Sequence, residues 1–189
     1  MRSLFATIVC LMALPALALA AEWSVVEPET RVEVDVAYLG SVVTMRFDTV
    51  KGAILFDEKH PERAKANILV GTRDVDTGLG IVNALVRSKD YLNTNAYPTI
   101  GFRLRKLVQT SKSTADIFGD MTLLGITRPV AFRATVFRYG PSPVDPARFD
   151  AGFTLSGAVD RREFGHTEGY PAVAAILPVR IRLLMRSAG

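Results

Sequence analysis

The segment from Gly119 to Phe132, GDMTLLGITRPVAF, restricts the fold of this chain more than any other stretch. Apolar and polar positions alternate over residues 117–123, and a period of two is typical of a strand with two unlike faces. Gly125 interrupts the pattern. Pro129 fixes its own φ and lacks an N–H, so it can begin a strand but could not sit in the middle of one. The segment therefore predicts two strands joined by a tight turn between residues 124 and 129.

Similar alternating runs recur along the chain, with turn signals between them. The runs lie at residues 31–38, 47–57, 66–70, 100–104, 117–123, 130–136, 149–159 and 177–185. A kink or bulge is predicted near Asp48 and Thr49, where the parity of the apolar positions changes and Gly52 permits a close backbone approach. Helical character is confined to residues 80–91 and is weak there.

About eight antiparallel strands can form a two-sheet sandwich or close into a barrel, and closure alone removes exposed strand edges. An eight-stranded barrel is either filled by its own side chains or just wide enough for one small ligand. The alternation itself leaves both architectures open.

The first twenty residues are predicted to be a secretory signal peptide. Arg2 supplies a minimal positive region, residues 4–14 are apolar, and Ala18-Leu19-Ala20 fits a small-x-small site, so cleavage is expected after Ala20. The alternative, an uncleaved membrane anchor, needs a longer apolar span. Cys10 is the single cysteine of the chain. We therefore expect one exported domain, residues 21–189, held by its core without disulfides.

The charge pattern argues against a nucleic-acid partner. The formal net charge is +4 and the basic residues are scattered singly along the strands, which is typical of a solvated face.

The candidates for catalysis are few. His60 and His166 lie in loops without a local partner, and no Gly-x-Ser-x-Gly elbow is present. Two distant histidines and a cysteine-free mature chain do not suggest a metal site. We therefore predict no catalytic residue, metal or cofactor, although a Ser-His-Asp triad assembled in space stays open.

Several separated motifs together resemble the YceI-like family. They are FDTVKGAILFD at 47–57, DTG at 76–78, RSKDYL at 87–92 with YPTIGF at 97–102, and residues 119–130 followed by REFG at 162–165. Their order and spacing match over nearly the whole mature chain. The resemblance implies an all-β, lipocalin-like barrel of eight antiparallel strands with one or two short helices, exported to the bacterial periplasm. It also implies an apolar channel that holds a polyisoprenoid or similar long-chain amphiphile, and it implies no enzymatic activity.

The chain departs from this family at two places. Residues 82–86 read VNALV where the family usually has a charged Arg-Asp pair followed by His-Leu, and Tyr38 stands where a histidine is common. The hypothesis is a less charged head group, such as a quinone or a fatty acid derivative.

Strand parity predicts a set of side chains that face the channel. They are Val34, Val36, Tyr38, Phe56, Ile68, Val70, Phe102, Leu104, Phe132 and Leu183. With Tyr38, three polar residues are predicted near the mouth: Asn83, Arg87 and Asp90. A surface ion pair is the alternative interpretation of Arg87 and Asp90.

The predicted function is a soluble carrier or binding protein for a long-chain lipid, monomeric or homodimeric and not inserted in a membrane. The alternatives are a non-catalytic stress or interaction protein with a filled barrel, a hydrolase, and a small outer-membrane barrel. The last would turn its apolar faces outward, and periodicity does not detect that inversion. Charged residues on the polar faces, such as Arg103, Arg105 and Arg180, argue against it, because they would face lipid if the apolar faces pointed inward.

Overall fold

The computed structural model describes residues 21–188, so the predicted signal peptide lies outside the described residues. Within that range, ten strands form one antiparallel sheet that closes on itself. The elements are β1 (Ala21–Val25), β2 (Arg31–Tyr38), β3 (Ser41–Phe47), β4 (Val50–Phe56), β5 (Lys65–Gly71), α1 (Gly80–Arg87), β6 (Thr99–Gln109), β7 (Thr114–Leu123), β8 (Ile126–Pro141), β9 (Phe149–Asp160) and β10 (Ile176–Ser187). Short 3-10 turns occupy Glu27–Glu29, Pro61–Arg63 and Arg161–Phe164.

Two of the barrel's strands are interrupted, so ten segments make an eight-stranded barrel. Strands β1 and β2 both pair with β10, one after the other, and β3 and β4 pair in turn with β2 and β1. The ring closes where β1 lies between β4 and β10, with Trp23 opposite both Ile54 and Ser187. The predicted eight-stranded antiparallel barrel is confirmed.

The predicted kink is present between β3 and β4. Phe47 and Val50 are both buried, at 1% and 2% exposure, although their positions differ by an odd number. Residues 48 and 49 therefore reset the parity and keep apolar side chains facing inward on both halves. A Cβ on Gly52 would lie 2.5 Å from the backbone oxygen of Asn67, so this position of β4 admits no side chain.

The turn after β7 corrects one expectation. Leu124 and Gly125 form it, both with positive φ, and β8 begins at Ile126, so Pro129 lies inside the strand. Pro129 is tolerated there because this part of β8 pairs with β7 alone, and pairing with β9 begins only at Phe132. The helix is also shorter than predicted and ends at Arg87.

The strand directions gather the loops into two groups. The helix end of the barrel comprises residues 38–41, 72–98, 123–126 and 161–175, and it includes α1. The hairpin end comprises residues 57–64, 109–114 and 141–149.

Candidate functional site

A cavity of about 740 Å³ runs through the barrel from the helix end to the hairpin end. All eight strands contribute to its wall, and nearly all of the wall between the two ends is aliphatic or aromatic. Strands of 10–12 residues, rising ~3.3 Å per residue and tilted by ~40°, give a lumen about 25–30 Å long. The volume lies within the range of ~300–1,000 Å³ that small-molecule sites occupy.

The interior is hollow and not filled by its own side chains. Ile68, Val70, Phe102 and Leu104 lie within their strands and face inward, yet each is only partly buried. Side chains that met across the axis would be fully buried, so these residues border open space. A filled barrel, one of the alternatives left open by the sequence, is not what the structure shows.

Two glycines allow aromatic rings to lie flat against the wall. A Cβ on Gly119 would come within 2.4 Å of the Phe102 ring, and one on Gly157 within 2.6 Å of the Phe132 ring. The two rings meet edge to face, with centroids 6.1 Å apart and planes at 68°. Such pairs are rigid and apolar, so this pair shapes the middle of the lumen without adding a polar group.

The structure places every predicted channel residue on the cavity wall. These residues are Val34, Val36, Tyr38, Phe56, Ile68, Val70, Phe102, Leu104, Phe132 and Leu183. Contact with a ligand stays a prediction.

The three polar residues predicted near the mouth lie elsewhere and are not part of the wall. The side-chain oxygen of Asn83 accepts from the backbone N and the hydroxyl of Thr77, both at 2.7 Å, and its Nδ2 donates to Asp76 at 3.1 Å. Asn83 therefore secures the start of α1. Arg87 is exposed and donates from Nε to the Asn83 carbonyl at 3.1 Å, and Asp90 is exposed.

Helical periodicity explains this placement. Val82, Leu85 and Val86, spaced three and four residues apart, face the lumen. Asn83 and Arg87 follow on another side of the same short helix. Val82, Leu85 and Val86 thus give the helix end of the lumen an apolar cover.

Sequence reasoning missed Arg161 as a cavity residue. Arg161 is 1% exposed and lies on the cavity wall at the helix end. Its guanidinium donates from Nε to the carbonyl of Ala174 at 2.9 Å, from Nη1 to that of His166 at 3.0 Å, and from Nη2 to that of Val173 at 2.9 Å. Two arginines in a row, 161 and 162, gave no signal to tell the buried one from the exposed one.

His166 also lines the helix end, whereas the sequence placed it in an exposed loop. Its ring packs edge-on against Tyr91, with centroids 5.7 Å apart. The Nε2 atom is buried and has no hydrogen-bond partner among the described residues. Burial, and then the positive charge of Arg161, lower the pKa of His166 against the opposing effects of the Asp90 backbone and of Glu168, so the ring is neutral at pH 7.

The hairpin end differs because its polar wall residues are exposed. Glu58, Gln109, Ser111, Lys112 and Tyr139 border the cavity there, and all are solvent-exposed. The Tyr139 hydroxyl donates to the Glu58 carboxylate. Partial burial of the ring, with the Glu58 hydrogen bond, raises the pKa of Tyr139 to about 12. This end of the cavity opens to solvent through a polar rim.

Residues 21–188 contain neither a cluster of metal ligands nor a membrane-spanning helix. In that range, no group of three or more His, Cys, Asp or Glu side chains is placed to hold a metal ion. No helix there is long and apolar enough to cross a membrane. His60 lies near Glu62, with Nδ1 3.5 Å from the carboxylate, and is not part of the cavity wall.

Comparisons with known proteins agree on one family. The model of the YceI-like domain matches residues 23–185. A UPF0312 protein of Vibrio parahaemolyticus is 31% identical over 167 residues, which cover 86% of this chain and 87% of that protein. Protein YceI of Escherichia coli O157:H7 is 36% identical over 118 residues, covering 62% of this chain and 60% of that protein.

Solved structures show the same fold at low identity. BcnA of Burkholderia cenocepacia superimposes with a TM-score of 0.74 at 18% identity, covering 85% of this chain and 98% of that one. A polyisoprenoid binding domain from Saccharophagus degradans, implicated in plant cell wall breakdown, gives a TM-score of 0.67 at 15% identity, covering 90% and 99%.

Proposed function

The chain belongs to the YceI-like family, and from that premise we propose that it is an exported, non-catalytic carrier or binding protein for a long-chain amphiphilic lipid. The lipid is a polyisoprenoid, a quinone or a fatty acid derivative, and it occupies the lumen. The signal peptide would direct the mature chain to the periplasm. The observation that carries this proposal is the continuous, hollow, apolar lumen between the two ends of the barrel.

The physical basis is the length of the lumen. Each Å² of apolar surface removed from water contributes about 25 cal/mol, and a chain laid along a lumen of this length loses most of its contact with water. Because the wall is already formed, the cost of ordering the protein on binding is small and offsets little of this free energy. Affinity for a long chain follows from the apolar wall, and selectivity follows from the polar groups at its two ends.

One relative supports the choice of ligand class, and the wall of this barrel supports a binding role. The Saccharophagus degradans domain with this fold is a polyisoprenoid binding domain. The apolar wall of the present barrel, interrupted by polar side chains only near its ends, is suited to hold such a chain and offers no nucleophile beside a base along its middle.

The proposal is tested on protein purified from a bacterial periplasm. Native mass spectrometry, and organic extraction followed by lipid analysis, should detect a bound long-chain lipid. Delipidated protein should take up a polyprenol or a quinone. Protein that is empty on purification and takes up neither compound would defeat the carrier function.

A pair of matched variants assigns uptake to the lumen. Phe102→Glu should reduce uptake by about 100-fold or more, because an ionised carboxylate in the apolar lumen lacks a partner. Phe118 lies on the neighbouring strand β7, faces outward and is 42% exposed, so Phe118→Glu is the control and should leave uptake unchanged. Equal uptake by both variants would place the lipid outside the barrel.

A further inference from the structure

The helix end of the lumen buries a positive charge that has no carboxylate partner. Arg161 takes part in none of the salt bridges among residues 21–188. The neighbouring carboxylate, Asp160, is bound by Arg162, with Nη2 2.6 Å from Oδ2. Burial lowers the pKa of Arg161 and outweighs the more distant Tyr91, Asp160 and Glu168, which act in the opposite direction. A guanidinium retains its charge at any physiological pH, so the charge remains uncompensated.

The hydrogen bonds of Arg161 leave part of its donor capacity free. A guanidinium has five N–H groups. The three carbonyl bonds use the Nε–H and one N–H on each terminal nitrogen. One N–H on each terminal nitrogen remains, on a residue that forms part of the cavity wall. Two terminal N–H groups of one guanidinium match the two oxygens of a carboxylate.

A second unpartnered group lies beside the first. The backbone of His166 accepts from Arg161 Nη1 at 3.0 Å, so the two residues are in contact. The Nε2 of His166 is buried, without a partner in the described structure, and its ring borders the same end of the cavity. A buried nitrogen without a hydrogen-bond partner is unfavourable, and a ligand oxygen that accepts from it supplies the missing hydrogen bond.

We propose that Arg161 and His166 form a head-group site at the helix end of the lumen, and that the head group is a carboxyl group on a long apolar chain. This inference rests on the proposed lipid-binding function and narrows its ligand class. The carboxylate oxygens accept from the free N–H groups of Arg161, and one of them also accepts from the Nε2–H of the neutral His166 ring. The site offers one positive charge, which one carboxylate neutralises. An alcohol would leave that charge uncompensated, and a diphosphate would bring more negative charge than the site can balance.

The test compares two probes that share a chain and differ in the head group. Oleic acid and oleyl alcohol are titrated into the delipidated mature protein by competition against a polarity-sensitive fluorescent probe. Hydrogen bonds to a charged group are worth about 1.5–3 kcal/mol, so the acid should bind about 10- to 100-fold more tightly. Arg161→Gln should bring the two affinities within about threefold of each other, chiefly by weakening the acid.

The neighbouring arginine provides the matched control. Arg162→Gln removes the same charge one residue away, on a side chain that binds Asp160 and does not line the cavity. It should leave the acid preference unchanged. A wild-type protein that binds the two probes equally, or an Arg161→Gln variant that folds and keeps the preference, would overturn the inference.

Arg161 also donates hydrogen bonds to three backbone carbonyls, so Arg161→Gln can fail to fold. A second variant tests the site in that case. His166→Phe keeps a ring of similar shape against Tyr91 and removes Nε2. It should reduce the acid preference by about 3- to 10-fold, and an unchanged preference would contradict the site.

If the wild-type protein binds both probes with equal affinity, the head-group site is contradicted and the carrier function is not. If neither probe binds to the wild-type protein, and a polyprenol and a quinone also fail, the carrier function itself falls.

Discussion

A charged side chain is buried near each end of the barrel, and the two side chains have different hydrogen-bond partners. Near the hairpin end, Asp150 is 1% exposed and accepts from Arg186 Nε at 2.7 Å and Nη2 at 3.1 Å. At the helix end, Arg161 is equally buried, but its partners among the described residues are carbonyl oxygens. Asp150 and Arg186 face each other across β9 and β10, on the side of these strands away from the lumen.

The difference separates a structural charge from one available to a ligand. A bidentate carboxylate–guanidinium pair neutralises both members, and Arg138 Nε lies 3.8 Å from the same Asp150 carboxylate. Carbonyl dipoles stabilise a guanidinium without neutralising it, so an anion can still lower its energy. The closed pair, Asp150 with Arg186, is therefore expected to govern stability. The charge of Arg161, which has no carboxylate partner, is expected to govern ligand choice.

The largest expected effect on stability is at the closed pair. Asp150→Asn should lower the free energy of unfolding by about 3 kcal/mol, because it leaves Arg186 and the nearby Arg138 without their counter-charge. Denaturant titration at pH 7 measures the change. Asp145→Asn is the control, since Asp145 pairs with Arg148 at 3.2 Å in an exposed loop of the same end. A loss at Asp150 as small as that at Asp145 would remove the distinction between the two ends.

Ligand binding should stabilise the protein by a comparable amount, and independently of that pair. A ligand present at 100 times its dissociation constant adds about 2.7 kcal/mol. Because the two ends of the barrel lie far apart, oleic acid at this ratio should add the same increment to the wild-type protein and to Asp150→Asn, within about 0.5 kcal/mol. Thermal denaturation with and without oleic acid tests the additivity. A strongly smaller increment in the variant would show that the two ends are coupled.

The contrast between the ends also shows what the sequence could predict. The barrel wall was predictable because alternation with a period of two assigns every inward side chain, and one reset of parity at residues 48 and 49 was visible as a break in the pattern. All ten predicted channel residues lie on the wall for this reason. Periodicity stays reliable as long as the strand pairs regularly on both sides.

The polar ends were not predictable in the same way. Arg161 is buried because the loop after it folds back and presents the carbonyls of residues 166, 173 and 174, contacts that no local pattern encodes. Asn83 and Arg87 were assigned to the mouth by their chemistry, whereas the orientation of α1 decides which of its faces meets the lumen. Loop geometry and helix rotation are set by tertiary packing, which a single sequence does not display.

Acid should reduce the contribution of the closed pair. The hydrogen bonds from Arg186 hold the pKa of Asp150 below its ordinary value of 3.8, although burial acts in the opposite direction. A carboxyl whose pKa is lower in the folded state stabilises the protein above pH 3.8, and the contribution is lost as the pH falls through the lowered folded pKa. The stability gap between wild-type protein and Asp150→Asn should therefore narrow below pH 3.8, by about 1.4 kcal/mol for each unit of the depression. A gap that stays constant down to pH 2 would mean that the ionised form of Asp150 is not what stabilises the fold.

The smallest expected effect is at an ion pair with good geometry on the outer wall. Asp35 on β2 accepts from Arg180 Nη2 at 3.0 Å and from the Thr44 hydroxyl at 2.7 Å, while Arg180 also has Glu33 3.6 Å away. Asp35→Asn should cost only about 0.5 kcal/mol, because solvent screens the pair and Glu33 remains as a partner.

Salt distinguishes this exposed pair from the closed one. The loss in Asp35→Asn should shrink toward zero when denaturant titrations are repeated in 1 M NaCl, where the screening length is about 3 Å. The loss in Asp150→Asn should change little, because its carboxylate is out of contact with solvent. Hydrogen-bond geometry is similar in the two pairs, so burial is the variable that the experiment isolates. If Asp35→Asn costs as much as Asp150→Asn and is equally insensitive to salt, burial does not set the value of an ion pair in this barrel, and the argument that an uncompensated buried Arg161 attracts an anion loses its physical basis.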